Sequence, residues 1–469
     1  MRRRRLLLGS LGLLAGCAHY VPRPVDPAVH AAEYRARRLD DPALRAWVAR
    51  FAGQPDGARW TDRQLAVAAL RLRAELDRAR AEWRTARAGE RTAGARPVAG
   101  AEGSVERAVA GGEGQSPWVA SLAGLFTVEL GGKRGARIQQ ARARTAVAEA
   151  ALRLTAWRVV QRSRASAATL AFAEDDAARS RRELAALLEV HELERGRFRE
   201  AALTSADLAR TGAEVEAARA EAATAQAAAL DARAELAGVL AVPATALDSI
   251  TVIPSPGRGC DRLTAGGDSL AALTLTRRPE LAGALAEYAV AEAAVRLEVA
   301  RQRPDLDLGP GFIFDQGVKR WTLALALPGL FGFRNRAPIA EAEVARTAAA
   351  ARVAEAQDAP LAELDAALAG CRGAALGRTA ADSQVAVATR AAELAQAAWQ
   401  RGETTRLEPA LADLALARAE RARLAAEARA RGAGQSLDAA VGVWSSGPGG
   451  ETWPDVRTDP DEPPGGAAR

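Results

Sequence analysis

Two short alternating runs set among long helical stretches constrain this chain most. From Arg303 to Ala345 the sequence reads RPDLDLGPGFIFDQGVKRWTLALALPGLFGFRNRAPIAEAEVA. In the first run Leu306, Leu308, Phe312 and Phe314 share a face, opposite Asp305, Asp307, Gly309 and Gly311. In the second, Trp321, Leu323, Leu325 and Leu327 oppose Arg320, Thr322, Ala324 and Ala326. A period of two with one apolar and one polar or small face predicts strands over about 304–315 and 319–328. Asp315-Gln316-Gly317 supplies a turn between them. After Pro328-Gly329 the period changes to helical, with Pro338 suited to a first turn.

The same order of elements occurs earlier. Helix is expected from Thr61 to about Gly89, carried by Leu65, Ala69, Leu72 and Leu76. A weak strand over about 97–106 and a clearer one over about 117–130 follow; in the latter Trp118, Ala120, Leu122, Phe126 and Val128 share a face. Helices are then expected over about 137–197 and 205–240. A displacement of 201 residues superposes the two halves: Leu130 falls on Phe331, Ile138 on Ile339, Phe198 on Trp399, Thr204 on Thr405 and Asp207 on Glu408. The chain therefore reads as a helix–strand–strand–helix–helix unit duplicated once, over 61–250 and 269–444, joined by a Pro/Gly-rich connection at 251–268. The stretch 445–469, rich in Gly, Pro and Asp, is expected to be disordered.

The first residues have the form of an export signal. Arg2–Arg5 precede the apolar run Leu6–Leu14, which is too short to span a bilayer. The signal ends in Leu14-Ala15-Gly16-Cys17, so residues 1–16 are expected to be removed. Residues 17–60 are rich in Pro, Asp and Arg and are expected to wrap a surface without a core of their own.

Composition excludes several function classes. The 64 basic and 58 acidic residues leave a net charge of +6, but the charges interleave along the helices as solvated faces do. No basic stripe carries stacking aromatics, so nucleic-acid binding is not expected. His191-Glu192-Leu193-Glu194-Arg195 lacks the second histidine of a zinc helix, and neither Gly111–Gly114 nor Gly131–Gly135 has phosphate-loop spacing. No nucleophile–base cluster, catalytic residue, metal site or cofactor is expected, apart from covalent lipid on Cys17 as considered below.

Four strands cannot close a barrel, and open strand edges are not viable in lipid. Transmembrane barrels begin at about eight strands. Either several copies share strands, three copies supplying twelve, or the strands lie elsewhere. In a barrel, Phe312, Phe314, Trp321, Leu323 and Leu325 would meet lipid, and Thr322 and Ala324 the lumen.

Taken together, RPEL (278–281), RPDLDLGPGFIFDQGVKRWTLALALPGLF (303–331), ELGGKRGARI (129–138) and the two repeat ends resemble the TolC family of outer-membrane factors, over about 61–444. The resemblance is nearest the heavy-metal-efflux branch. It implies a mainly α fold with a small β part: a trimeric twelve-stranded barrel on a long α-helical periplasmic tunnel. It also implies a passive efflux duct for drugs or metal cations that works with a periplasmic adaptor protein and an inner-membrane pump. Leu14–Cys17 resembles a lipobox, implying acylation of Cys17, and Ala18 implies outer-membrane sorting. The segments FREAALTSADL (198–208) and WQRGETTRLEPAL (399–411) resemble the family's adaptor-docking tips. On that basis Ala201, Leu203, Thr204, Asp207, Gly402, Glu403 and Thr404 are candidate docking residues, with Ala201 standing where glycine is usual. Glu408 is either an acid at the tunnel entrance or a first-turn acid favoured by the helix dipole, and Leu411 provides no second acid. Family topology places Cys260 and Cys371 near the tunnel's equator, either bonded or as two buried thiols. A type I secretion duct, a lipid-anchored periplasmic coiled-coil scaffold and a soluble adaptor-like hairpin are the alternatives.

Overall fold

Long helices flank a small sheet in the computed structural model, which describes residues 20–107, 109, 116–254, 260, 267–328, 335–442 and 453–458. The signal segment and Cys17 lie outside the described residues, as does Phe331-Gly332. In chain order the elements are α1 (Pro27–Ala36), α2 (Pro42–Ala52), β1 (Arg59–Thr61), α3 (Asp62–Leu72), α4 (Ala74–Ala93), β2 (Gly100–Arg107), β3 (Trp118–Val128), α5 (Lys133–Arg199) and α6 (Ser205–Leu240). Then follow β4 (Thr251–Ile253), α7 (Gly267–Arg277), α8 (Pro279–Ala300), β5 (Leu306–Asp315), β6 (Val318–Ala326), α9 (Arg336–Gln400) and α10 (Leu407–Ala440). At 67 and 65 residues, α5 and α9 are rods of about 100 Å. Each folds back on its successor, and α5 also packs against α3, α4, α8 and α10.

The sheet has order β2-β3-β5-β6, antiparallel throughout, so the two hairpins of the duplicated unit lie side by side. Pairings such as Leu308↔Leu325, Phe312↔Trp321 and Leu122↔Phe312 put the expected apolar residues on one face. At the strand–helix junction, Asp305 accepts from the Leu130 amide and from the Lys133 ammonium at 2.7 Å, and Arg137 pairs with Glu129. Gly131 (φ 74°) is required there, because a Cβ would lie 2.8 Å from the Ala300 carbonyl oxygen.

Four expectations from sequence are corrected. The helix expected over 61–89 breaks at Arg73, whose guanidinium donates to the Gly238 and Val239 carbonyls at the end of α6. The opening helix of the second repeat, expected to run unbroken from about 269 toward the strand at 304, is interrupted before Pro279, where the proline disfavours helical geometry for Arg278. Buried Arg278 there donates to the Ala439 carbonyl and pairs with Glu363, its guanidinium 5.0 Å from the Trp157 ring centroid. The 17–60 segment does contribute core: Leu39, Leu44, Val48 and Trp60 are buried with α3 and α5, and β1 pairs in parallel with β4. Finally, residues 453–458 of the tail are docked. Val456 is buried, its carbonyl accepts from Arg80 Nε at 2.9 Å, and Trp453 lies under the Arg63 guanidinium. The tail has no periodicity of its own and is buried by a tertiary groove, whereas in the 17–60 segment Leu44, Trp47, Val48 and Phe51 repeat at helical spacing along α2 and face the core.

Cys260 and Cys371 are bonded, with Cα atoms 5.5 Å apart, tying the inter-repeat connection to α9 across 111 residues of sequence. Closing a loop of that length stabilises the fold by about 4–5 kcal/mol in the chain-entropy description.

Candidate functional site

The residues singled out at the repeat ends form two helix-to-helix turns at the same end of the molecule. At the first, the Ala201 amide donates to the Phe198 carbonyl (3.0 Å) and the Ala202 amide to that of Arg197 (2.8 Å). At the second, the Gly402 amide donates to Trp399 (2.9 Å) and the Glu403 amide to Ala398 (2.9 Å). Every partner is displaced by 201 residues, so the duplication extends to single hydrogen bonds. Both are helix ends of the Schellman type, which require a left-handed residue after the helix. Gly402 takes it at φ 74°, and Ala201 takes it at φ 56° despite its Cβ.

The remaining candidates divide between the tips. Thr204 caps α6 by accepting from the Asp207 amide (3.2 Å), and its hydroxyl donates to the Asp207 carboxylate (2.6 Å). That bond holds the Asp207 carboxyl below its ordinary pKa. Leu203 is half-buried. At the second tip Arg401 chelates Glu403 (2.6 and 2.9 Å) and depresses its pKa, while Thr404 is half-buried. Glu408 is exposed in the first turn of α10.

An ionic seam that no sequence motif announced runs up from the tips. Arg406, just before α10, donates to Glu189 of α5 at 2.6 Å, and within α10 Arg418 donates to Glu183 at 3.1 Å and Arg421 to Asp176 at 2.8 Å as well as to Glu221 of α6. Arg179 returns the pattern to Glu420 at 3.1 Å. Its sequence trace is the seven-residue spacing of Asp176 and Glu183 on one helix, visible only once the partner helix is known. Beneath it Leu187, Val190, Val215, Leu407, Ala410 and Leu414 form a separate apolar cluster.

The opposite end is the sheet. Its apolar face is exposed, with Trp321 at 85% and Leu323 at 63% of full exposure, and β2 and β6 are free edges. The other face carries the Ser104–Ser121 and Thr127–Asp307 hydrogen bonds. No helix among the described residues is long and apolar enough to cross a membrane, which leaves a barrel unaddressed. His191 is half-buried with Nδ1 unpartnered, and no cluster of three or more potential metal ligands occurs among the described residues.

This architecture was compared with known proteins. A membrane protein from Pseudomonas aeruginosa is 22% identical, with a TM-score of 0.66 over 91% of this chain and 99% of its own. The outer-membrane protein VceC of Vibrio cholerae is 20% identical, with a TM-score of 0.64 over 81% and 96%. The chain has the outer-membrane channel fold. The open MtrE outer-membrane channel of Neisseria gonorrhoeae, 20% identical with a TM-score of 0.62 over 91% and 98%, has it too. No family model and no curated protein matches the sequence. The resemblance to the TolC family therefore holds at the level of fold, and the channel fold accounts for both ends of the chain: a sheet with free edges and a helical end with two turns.

Proposed function

We propose that three copies of this chain close their sheets into a twelve-stranded outer-membrane barrel continued by an α-helical periplasmic tunnel. The assembly is a passive exit duct of a tripartite efflux system, passing drugs or metal cations delivered by an inner-membrane pump through a periplasmic adaptor. The observation that carries this reading is the sheet. Its strands of 8, 11, 10 and 9 residues match the roughly 9–11 residues that a tilted strand needs to cross a bilayer. One face is apolar and exposed, the other mixes acids, serine, threonine and small residues with Val119, Leu125, Ile313 and Val318, and both edges are unpaired. A periplasmic scaffold would leave that apolar face without a partner.

In this reading Cys17 carries the lipid anchor. A duct has no energy source, so its work reduces to docking an energised partner and opening an entrance. The turns at Ala201–Asp207 and Gly402–Thr404 dock the adaptor, and Glu408 faces the entrance. Dilation separates α10 from α5 and α6 and so must break the ionic seam; the exposed pairs nearest the tips, Arg406–Glu189 and Arg418–Glu183, contribute only about 0–1 kcal/mol each, whereas Arg421–Asp176 higher up is partly buried and holds more firmly.

The test is cell fractionation with gel migration before and after boiling, beside complementation of substrate resistance. An outer-membrane band of trimer mass that collapses on boiling, and resistance lost in Gly402→Trp at normal trimer levels, are expected. A monomer in the soluble periplasmic fraction refutes the duct.

A further inference from the structure

The sheet sorts its charges by face. Following the register, Arg107 and Lys319 stand on the apolar face, beside Trp118, Phe314 and Trp321. None of the acidic residues in the four strands shares that face: Glu102, Glu106, Asp307 and Asp315 all point the other way. The single cation among those acids, Arg320, is paired with Asp315. By contrast, neither Lys319 nor Arg107 has an ion pair among the described residues, and the Arg107 guanidinium lies over the Trp118 ring, 5.8 Å from its centroid.

Both cations sit at the hairpin ends, away from the helices: Arg107 ends β2, and Lys319 is the second residue of β6 after the Gln316-Gly317 turn. A cation on a lipid-facing surface is unfavourable at mid-bilayer and nearly free of cost at the interface. An anionic headgroup there makes it favourable.

We propose that Arg107 and Lys319 form an outward-facing rim that binds the phosphate of lipid headgroups of net negative charge in the outer leaflet. The inference rests on the barrel reading above, which sets the hairpin ends at the outer surface. Barrel closure also places β6 of one copy beside β2 of the next, on strands about 5 Å apart. Lys319 and the next copy's Arg107 then flank one junction, and three such junctions form in the trimer. Arg107 supplies a planar fork for two phosphate oxygens, and Lys319 a point charge.

Trp118 and Trp321 are built-in reporters, being the two of the chain's nine tryptophans that lie on this face. The purified full chain is reconstituted in phosphatidylcholine vesicles with or without a minor fraction of phosphatidic acid. Tryptophan quenching by the brominated form of each lipid then gives their relative association constants. Phosphatidic acid should be preferred, with the preference falling about fivefold for each cation removed in Arg107→Gln or Lys319→Gln. Arg320→Gln should leave it intact. Equal quenching by both lipids, or an equal loss in Arg320→Gln, overturns the proposal and leaves the two cations as water-seeking side chains. Preference abolished by soluble inorganic phosphate overturns the lipid assignment in favour of a free-phosphate site. Quenching by neither lipid sinks the barrel reading itself, a result distinct from failure of the rim.

Discussion

The α5–α6 tip and the α9–α10 tip close with the same backbone hydrogen bonds, yet they hold the helix that follows by different means. At the first, α6 begins on a side-chain cap, Thr204 to the Asp207 amide, while Ala206 in its first turn is exposed. At the second, α10 begins with no side-chain cap, but Leu407 and Ala410 are buried in the apolar cluster shared with α5 and α6, and Pro409 between them is buried too. The left-handed residue differs as well, alanine at 201 and glycine at 402. Duplicated copies thus keep the backbone geometry that a turn demands, while the anchorage drifts to whatever each copy's surroundings supply. The first tip is held locally and opens locally. The second is held by tertiary packing and opens with its neighbours.

The largest test of that contrast removes the packing anchor. Leu407→Ala should destabilise the second tip by about 2–3 kcal/mol, the lower end for a buried leucine truncated to alanine. Ala206→Ser, at the matching position of the first, should stay within about 0.5 kcal/mol. Hydrogen exchange of the first-turn amides of α6 and α10 measures both. Equal losses would dissolve the distinction.

Removing the cap reverses the pattern. Thr204→Ala should speed exchange at the start of α6 by an amount equivalent to about 1 kcal/mol. Thr405→Ala, its repeat mate, should change the start of α10 by less than about 0.5 kcal/mol. If α6 is unmoved, the cap is not what anchors it.

The turn residues sharpen the comparison at smaller scale. A left-handed alanine costs about 1–2 kcal/mol, and glycine gives back about 0.4–1 kcal/mol through the unfolded chain, so Ala201→Gly should gain about 0.5–1 kcal/mol. Gly402→Ala should lose a similar amount. A Cβ at 402 meets nothing within 4 Å, so the loss is conformational and should be no larger in Gly402→Trp. Adaptor binding should fall in Gly402→Trp far more than in Gly402→Ala, because only bulk blocks close approach. Equal binding by the two variants would remove Gly402 from the docking surface.

What could be read from sequence follows the range of the forces involved. Three of the four strands were legible because alternation over eight or more residues is a local pattern, while β2, GAEGSVER, alternates poorly and was only a weak candidate; the relation of the two hairpins was legible because the duplication repeats it. Even Pro338 falls in the first turn of α9, as its chemistry requires. The burial of Trp60 and Val456 was not legible, nor was the pairing of β1 with β4. Those segments are three to six residues long, and their partners lie far away in the chain. The tips were found through a resemblance at Ala201 and Gly402, but their anchorage was not. A threonine cap is written in four residues, Thr204 to Asp207, whereas the ionic seam from Arg406 to Arg421 needs three helices before any residue of it has a partner.

The smallest effect separates the tips by pH. Both hold an acid below its ordinary pKa, and the causes differ: the Thr204 hydroxyl for Asp207, the Arg401 guanidinium for Glu403. A carboxyl depressed on folding stabilises the folded state above its unfolded pKa, and the stabilisation is lost as pH falls through the folded value. Each tip should therefore loosen on acidification below the ordinary carboxylate range, with no change toward alkaline pH. Salt distinguishes them. The Arg401–Glu403 pair is exposed and Coulombic, so added salt should bring Glu403 toward its ordinary value. The hydrogen bond from a neutral hydroxyl to Asp207 should barely respond. Carboxyl titration by NMR in low and high salt reads both groups, with Thr204→Val as the control that returns Asp207 to the ordinary range. An Asp207 pKa unchanged in Thr204→Val would mean that the helix terminus, not the threonine, holds the carboxylate, and the first tip's cap would then carry less of its anchorage than its geometry indicates.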